Sequence, residues 1–212
     1  MNETAVTTRL AHVRWIGGGS GAGKSTVAQR LAARYNLARY EAEQFSRHIQ
    51  RSDPESAPLV HAFATMDMDE RWVTRAPDVM LQTFHGFQGE GFPLVLEDLL
   101  ALPAGRGVIA EGFTLLPRQV APLLGNHRAA VWLLPTPEFR RAALDARGST
   151  WAIAGRTSDP ERALANLLER DALFTDEVRR QAGEHGLQTI EVDGSQDVEH
   201  LTAVVAAALE LP

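Results

Sequence analysis

Gly18-Gly19-Ser20-Gly21-Ala22-Gly23-Lys24-Ser25 satisfies the pattern G-x-x-x-x-G-K-[ST] at every fixed position. The chemistry this spacing serves is anion binding. Glycines let successive backbone N–H groups turn toward one point. A helix starting at the lysine adds unpaired N–H groups and the positive end of its dipole. Lys24 would reach the β- and γ-phosphates of a nucleotide, and the Ser25 hydroxyl would ligate Mg²⁺. Thr26 closes the run of cofactor-binding candidates. A flexible Gly/Ser turn is the plain alternative. A chance match in a chain this long is roughly one in a hundred at average glycine and lysine usage. Lys24 is also the only lysine among 21 basic residues, the rest being arginine.

The elements around this loop must place it. His12 to Ile16 reads as a strand ending in the glycine run, and Lys24 to Arg34 as a helix with Val27, Ala28 and Leu31 on one face. A short strand is expected near Leu37 to Tyr40. Residues 41–75 read as polar and irregular. A helix is predicted from Pro77, with Met80, Phe84 and Phe87 at i, i+4, i+7, and another over Pro93 to Leu102. Gly107 to Ala110 and Ala129 to Leu134 read as strands. Thr136-Pro137-Glu138 and Ser158-Asp159-Pro160-Glu161 are helix starts. Thr189 to Val192 reads as a last strand, with a helix from about Asp197. The alternation predicts an α/β fold with about five parallel strands, helices on both faces and a small helical lid.

Composition narrows the classes. The 212 residues suit one domain over 1–212, with 44% hydrophobic and 23% charged residues. A net charge of −6 gives no broad basic footprint, so duplex nucleic acid is not an expected partner. No apolar run reaches the roughly 18 residues of a membrane span. The absence of cysteine excludes disulfides and thiol catalysis. A cytoplasmic location is expected.

The phosphate loop and the order of elements resemble the P-loop small-molecule kinases, the superfamily of nucleoside, nucleotide, shikimate, gluconate and chloramphenicol kinases. Neither a guanine-reading N-K-x-D nor an L-S-G-G-Q-like signature is present, and the chain is too short for a helicase core. The resemblance implies a P-loop NTPase fold with ATP and Mg²⁺ as cofactors. It places Glu41-Ala42-Glu43 where related enzymes carry an acid-x-acid pair, one carboxylate taking the acceptor proton or holding metal. A solvated pair of acids at a helix start is the alternative. Glu111-Gly112 looks like the strand ending of uridine-kinase-like members, so Glu111 would order the Mg²⁺ shell or pair with an arginine. A lid over about 147–162 would bring arginines to the transferring phosphate. Arg147 and Arg156 lead that group, with Arg140, Arg141, Arg162 and Arg170 around them. Val192-Asp193-Gly194 resembles an adenine-packing turn, so Gly194 and Ser195 join the cofactor candidates.

Acceptor choice is expected within residues 44–92. Arg47, His48, Arg51, Arg71 and Arg75 would suit a phosphate or carboxylate there, and the acids of the MDMDE run an amine or several hydroxyls. The implied activity is transfer of the ATP γ-phosphoryl group to a hydroxyl or phosphate of a small molecule, in the manner of nucleoside and nucleotide kinases. An antibiotic or sugar-acid kinase is one alternative, and an ATP-binding regulator without kinase activity another. The expected partners are a nucleoside triphosphate and a small-molecule acceptor, with neither nucleic acid nor membrane. A monomer or homodimer is expected.

Overall fold

The computed structural model describes residues 3–103, 105–148 and 153–212. Its elements in chain order are α1 (Glu3–Leu10), β1 (Val13–Gly18), α2 (Lys24–Arg34), β2 (Ala38–Glu41), α3 (Phe45–Gln50), α4 (Pro58–Thr65), α5 (Met68–Trp72), α6 (Pro77–Thr83), α7 (His85–Gln88) and α8 (Phe92–Ala101). Then come β3 (Val108–Glu111), α9 (Pro117–Val120), β4 (Ala130–Pro135), α10 (Pro137–Arg147), α11 (Pro160–Glu184), β5 (Gln188–Val192) and α12 (Val198–Ala208). The five strands form one sheet in the order β2-β3-β1-β4-β5, and every pairing is parallel.

The strand side chains alternate between two buried layers. Trp15, Ala110 and Trp132 face α8 and α11, which supply Val95, Leu99, Phe174 and Val178. Ile16, Ile109, Val131 and Leu133 face α2 and α12, which supply Val27, Leu31 and Val205. With both faces covered, the central strands are mostly apolar, Arg14 of β1 and Glu111 at the end of β3 excepted. No helix among the described residues is long and apolar enough to cross a membrane.

The helix starts carry the expected caps. Thr136 accepts from the Phe139 N–H, Asp159 from the Arg162 N–H, and Pro137 and Pro160 take first-turn positions. Three expectations need correction. The N-terminus forms α1, which the sequence reading left unassigned. Residues 41–75 are not irregular: they hold α3, α4 and α5, with Val60, Phe63 and Trp72 buried. The helix from Pro77 stops at Thr83, because Phe84 turns extended (φ −82°, ψ 114°) before α7 begins. The Met80-Phe84-Phe87 rhythm therefore marks one packed patch and not one continuous helix.

Candidate active site

The glycine loop joins β1 to α2 at the carboxyl edge of the sheet. Gly18 has φ +121°, and a methyl group there would sit 2.0 Å from the Leu133 carbonyl oxygen. The position accepts only glycine on both counts. Gly23 stands at the α2 N-cap with no side chain capping the helix and no acid in its first turn. The first N–H groups of α2 thus remain available to an anion. Gly19 and Ala22 are buried, Ser20 and Gly21 half-buried, and Ser25 and Thr26 exposed. Lys24 is buried, and its Nζ donates to the Gly19 carbonyl at 2.8 Å. Burial pushes its ammonium below the ordinary lysine value. Glu43 opposes that shift most strongly, then Glu111 and Asp171, while Arg140 adds to it.

Three acids were candidates at this edge. Register pairs Glu41 with Glu111 across β2 and β3, and Ile16 with Glu111 across β1 and β3. Glu111 is 1% exposed. Its Oε2 accepts from Ser25 Oγ at 3.0 Å and its Oε1 from Arg39 Nη2 at 2.9 Å. Glu111 thus has the arginine partner that was one of its two expected roles, and it also meets Ser25. Glu41 stays exposed beside Arg39 at 3.4 Å. Glu43 is exposed too, but its Oε1 accepts the Phe113 N–H at 2.5 Å. Although the residue is exposed, neighbouring protein crowds its carboxylate. That desolvation raises its pKa, against the pull of Lys24 and the Phe113 N–H.

Among the described residues, no group of three or more His, Asp or Glu side chains converges as a metal cage. Mg²⁺ bound through one or two protein oxygens, phosphate oxygens and water needs none. The Ser25 hydroxyl and the Glu111 carboxylate form a hard-oxygen pair that fits such an ion.

A second charged cluster borders the loop. Arg140 of α10 donates to Asp171 Oδ2 of α11 from Nε at 2.9 Å and Nη2 at 2.6 Å. Arg170 donates to Asp171 Oδ1 at 3.1 and 2.6 Å. A methyl on Gly21 would lie 2.7 Å from Arg140 Nη1, so that guanidinium flanks the loop itself. Two cations thus share one carboxylate, leaving local positive charge beside an anion cradle. Arg170 also lies 4.9–5.1 Å from the ring centroids of Trp72, Phe84 and Phe87. Of the expected lid arginines, Arg147 ends α10 with a side chain outside the described residues. Arg156 is exposed on the turn after Ala154.

No family model and no curated protein sequence matches the chain. Among solved structures, an uncharacterized protein from Eubacterium ventriosum aligns at 14% identity over 94% of this chain and 98% of that one, with a TM-score of 0.46. A deoxyadenosine kinase from M. mycoides with bound dATP aligns at 13% identity over 93% and 99%, with a TM-score of 0.49. TT1252 from Thermus thermophilus aligns at 19% identity over 94% and 97%, also with a TM-score of 0.49. Likenesses this distant say nothing of activity; the site speaks through its own geometry.

The expected acceptor arginines have other work. Arg47 and Arg51 donate to Asp98 of α8 at 3.0 and 2.7 Å, and Tyr40 Oη donates to the same carboxylate at 2.8 Å. Arg71 donates to the carbonyls of Phe63 and Ala64, and Arg75 to those of Glu70 and Arg71. These four arginines tie helices together without a ligand present. The MDMDE acids are also structural: Asp67 caps α5, and Asp69 accepts the Ser158 N–H at 2.7 Å. Of the acceptor candidates, His48 lines a cavity with Glu43, Phe45, Phe63, Trp72, Phe84 and Phe113, and His48 and Arg51 both line a second one. Gly194 packs against the Phe139 ring of α10, and Ser195 donates to Asp193 from both N and Oγ.

Sequence reasoning missed Arg39, Asp171 and Phe113. Arg39 meets Glu111, and Asp171 meets Arg140, far along the chain, and no local pattern marks those pairings. Phe113 directly follows the Glu111-Gly112 ending, so its closeness to the site had a sequence cue.

Proposed function

We propose that this chain is an ATP-dependent phosphotransferase that moves the γ-phosphoryl group onto a hydroxyl of a small molecule. The observation that carries this reading is the position of Glu43. It is the strongest carboxylate influence on Lys24, and it lines the ring-walled cavity. Donor loop and acceptor cavity therefore meet at one carboxylate, which a protein that only bound nucleotide would not need.

In this reading the glycine loop and the α2 N-terminus hold the triphosphate, and Lys24 turns from Gly19 to the transferring phosphate. Ser25 and Glu111 would hold Mg²⁺, which would supply positive charge to offset that of the phosphates. Glu43 takes the hydroxyl proton as the acceptor oxygen bonds to the γ-phosphorus. The bond from that phosphorus to the bridging oxygen breaks, and ADP leaves with the bond's electron pair. Arg140 lies beside the loop to balance spreading negative charge. Of the Glu41 and Glu43 pair this reading takes Glu43 as the base, and of the arginines flanking the lid it takes Arg140 for its place beside Gly21.

The test is ADP release from Mg-ATP with and without candidate acceptors, with Lys24→Ala as the control. Acceptor-dependent release that Lys24→Ala abolishes supports the reading. Tight ATP binding with no stimulation by any acceptor moves the chain to the regulatory class.

A further inference from the structure

The cavity beside Glu43 is about 190 Å³ and is walled by Phe45, Phe63, Trp72, Phe84, His85 and Phe113. The rings brace one another edge to face: Phe45 meets Phe63 at 81° and Phe63 meets Phe84 at 83°. A second cavity of about 130 Å³ shares His48, His85 and Gly91 with the first.

Charge is sparse here. Among the described residues, Glu43 is the one charged side chain lining the first cavity. In the second, Arg51 is held by Glu97 and Asp98, and Glu90 accepts the Leu59 and Val60 N–H groups. Burial drives the His85 pKa down to about 4, and it lowers that of His48 too, so both rings are neutral near pH 7. Two buried polar atoms, His48 Nε2 and Thr114 Oγ1, have no hydrogen-bond partner among the described residues. Both residues line the first cavity. Buried polar atoms of this kind call for a partner.

An anion entering this space would face the Glu43 carboxylate, because Arg71 and Arg170 stack on rings of the wall without lining it and donate to backbone carbonyls and to Asp171. A flat ring would find faces and edges to stack on, and heteroatoms on it would satisfy His48 and Thr114. We propose that the acceptor is an uncharged ring compound carrying its reacting hydroxyl and at least one further hydrogen-bonding heteroatom, and that phosphorylated or carboxylated molecules are excluded. This rests on the phosphotransferase reading of the same site.

The test compares uridine, adenosine and chloramphenicol with UMP, AMP, gluconate and shikimate. ADP formation is the first readout. Quenching of tryptophan fluorescence without nucleotide is the second, with Trp72→Phe identifying the reporter. At least one neutral ring compound should drive ADP formation and quench Trp72. The charged compounds should be lower by about 100-fold or more in kcat/KM. Phe45→Ala, at a partly exposed ring whose loss spares the core, should raise the acceptor KM about tenfold with the KM for ATP unchanged.

Faster turnover with a phosphorylated or carboxylated compound overturns the inference and leaves the phosphotransferase standing. Quenching by a neutral ring compound without ADP formation keeps the ring site and overturns the phosphotransferase. Absence of both quenching and turnover with all three neutral compounds overturns the inference.

Discussion

Ser25 Oγ donates to Glu111 Oε2 at 3.0 Å, joining the first turn of α2 to the end of β3. Arg39 holds the other carboxylate oxygen, so the acid is fixed from both sides. A Glu111→Gln substitution keeps the shape and removes the charge. The expected result is a fall in kcat of about 10- to 100-fold, with a similar rise in the Mg²⁺ needed for half-maximal rate. A Mg²⁺ titration of initial rates checks it. An unchanged Mg²⁺ requirement would leave Glu111 as a structural partner of Arg39 alone.

Lys24 is a buried cation whose desolvation outweighs its neighbours' pull. A lysine with a lowered folded pKa costs stability at pH below that value. The cost fades as pH rises from there toward the ordinary 10.5. Lys24→Met keeps the stem and removes the charge. The variant's midpoint of thermal unfolding should equal or exceed that of the parent near pH 7. Its kcat/KM should fall about 10²- to 10³-fold, and the stabilisation by Mg-ATP should vanish. Thermal melts with and without nucleotide separate these effects. A variant that melts far below its parent would mean that the Gly19 hydrogen bond matters more than the buried charge.

How much of this was legible in the sequence depended on the range of the interactions. The glycine loop was readable because its conformation is set by its own residues. The strand at Ala130–Pro135 was readable because burial on both faces leaves an unbroken apolar run. The helices between residues 45 and 72 were not. At five to eight residues each, they are too short to show a period. Nor was the fate of the arginines readable. Arg39 finds Glu111 across 72 positions and Arg140 finds Asp171 across 31. Charge alone did not distinguish a phosphate ligand from a tie between helices.

Glu43 links turnover to pH. Its carboxylate works as a base only when deprotonated, and desolvation raises its pKa above the ordinary glutamate value of 4.5. Activity should therefore fall on the acid side at a pH above 4.5, where a glutamate with the ordinary value would still be ionised. Glu43→Gln should remove this limb and lower kcat about 10²- to 10⁴-fold, whereas Glu41→Gln should keep the limb. A pH profile of kcat for the three proteins decides the matter. Loss of the limb in Glu41→Gln alone would reverse the assignment.

Arg75 serves the fold. Its guanidinium donates to the Glu70 and Arg71 carbonyls and, at 2.8 Å, to Thr83 Oγ1. Arg75→Ala should reduce stability by about 1.5–3 kcal/mol, the range for hydrogen bonds to a charged group. The acceptor KM should change less than about twofold, as when no substrate contact is lost. Urea melts and steady-state kinetics on the same preparation test both halves. A large rise in KM with unchanged stability would return Arg75 to the acceptor site.

Asp171 should separate the stability of the site from its chemistry. It is 1% exposed and is the one carboxylate shared by Arg140 and Arg170. Asp171→Asn leaves two guanidinium groups close together without their counter-charge. Breaking a buried pair in this way costs about 3–5 kcal/mol. Arg140→Ala is different, because Asp171 keeps Arg170 and no charge is stranded. That variant should fold almost as well as the parent and lose affinity for ATP, since its guanidinium flanks Gly21. Denaturant melts should rank Asp171→Asn well below Arg140→Ala. The KM for ATP of Arg140→Ala should rise while its melt barely moves. Equal stability losses in the two variants would make Arg140 a structural partner of Asp171 and leave the phosphate charge to other residues.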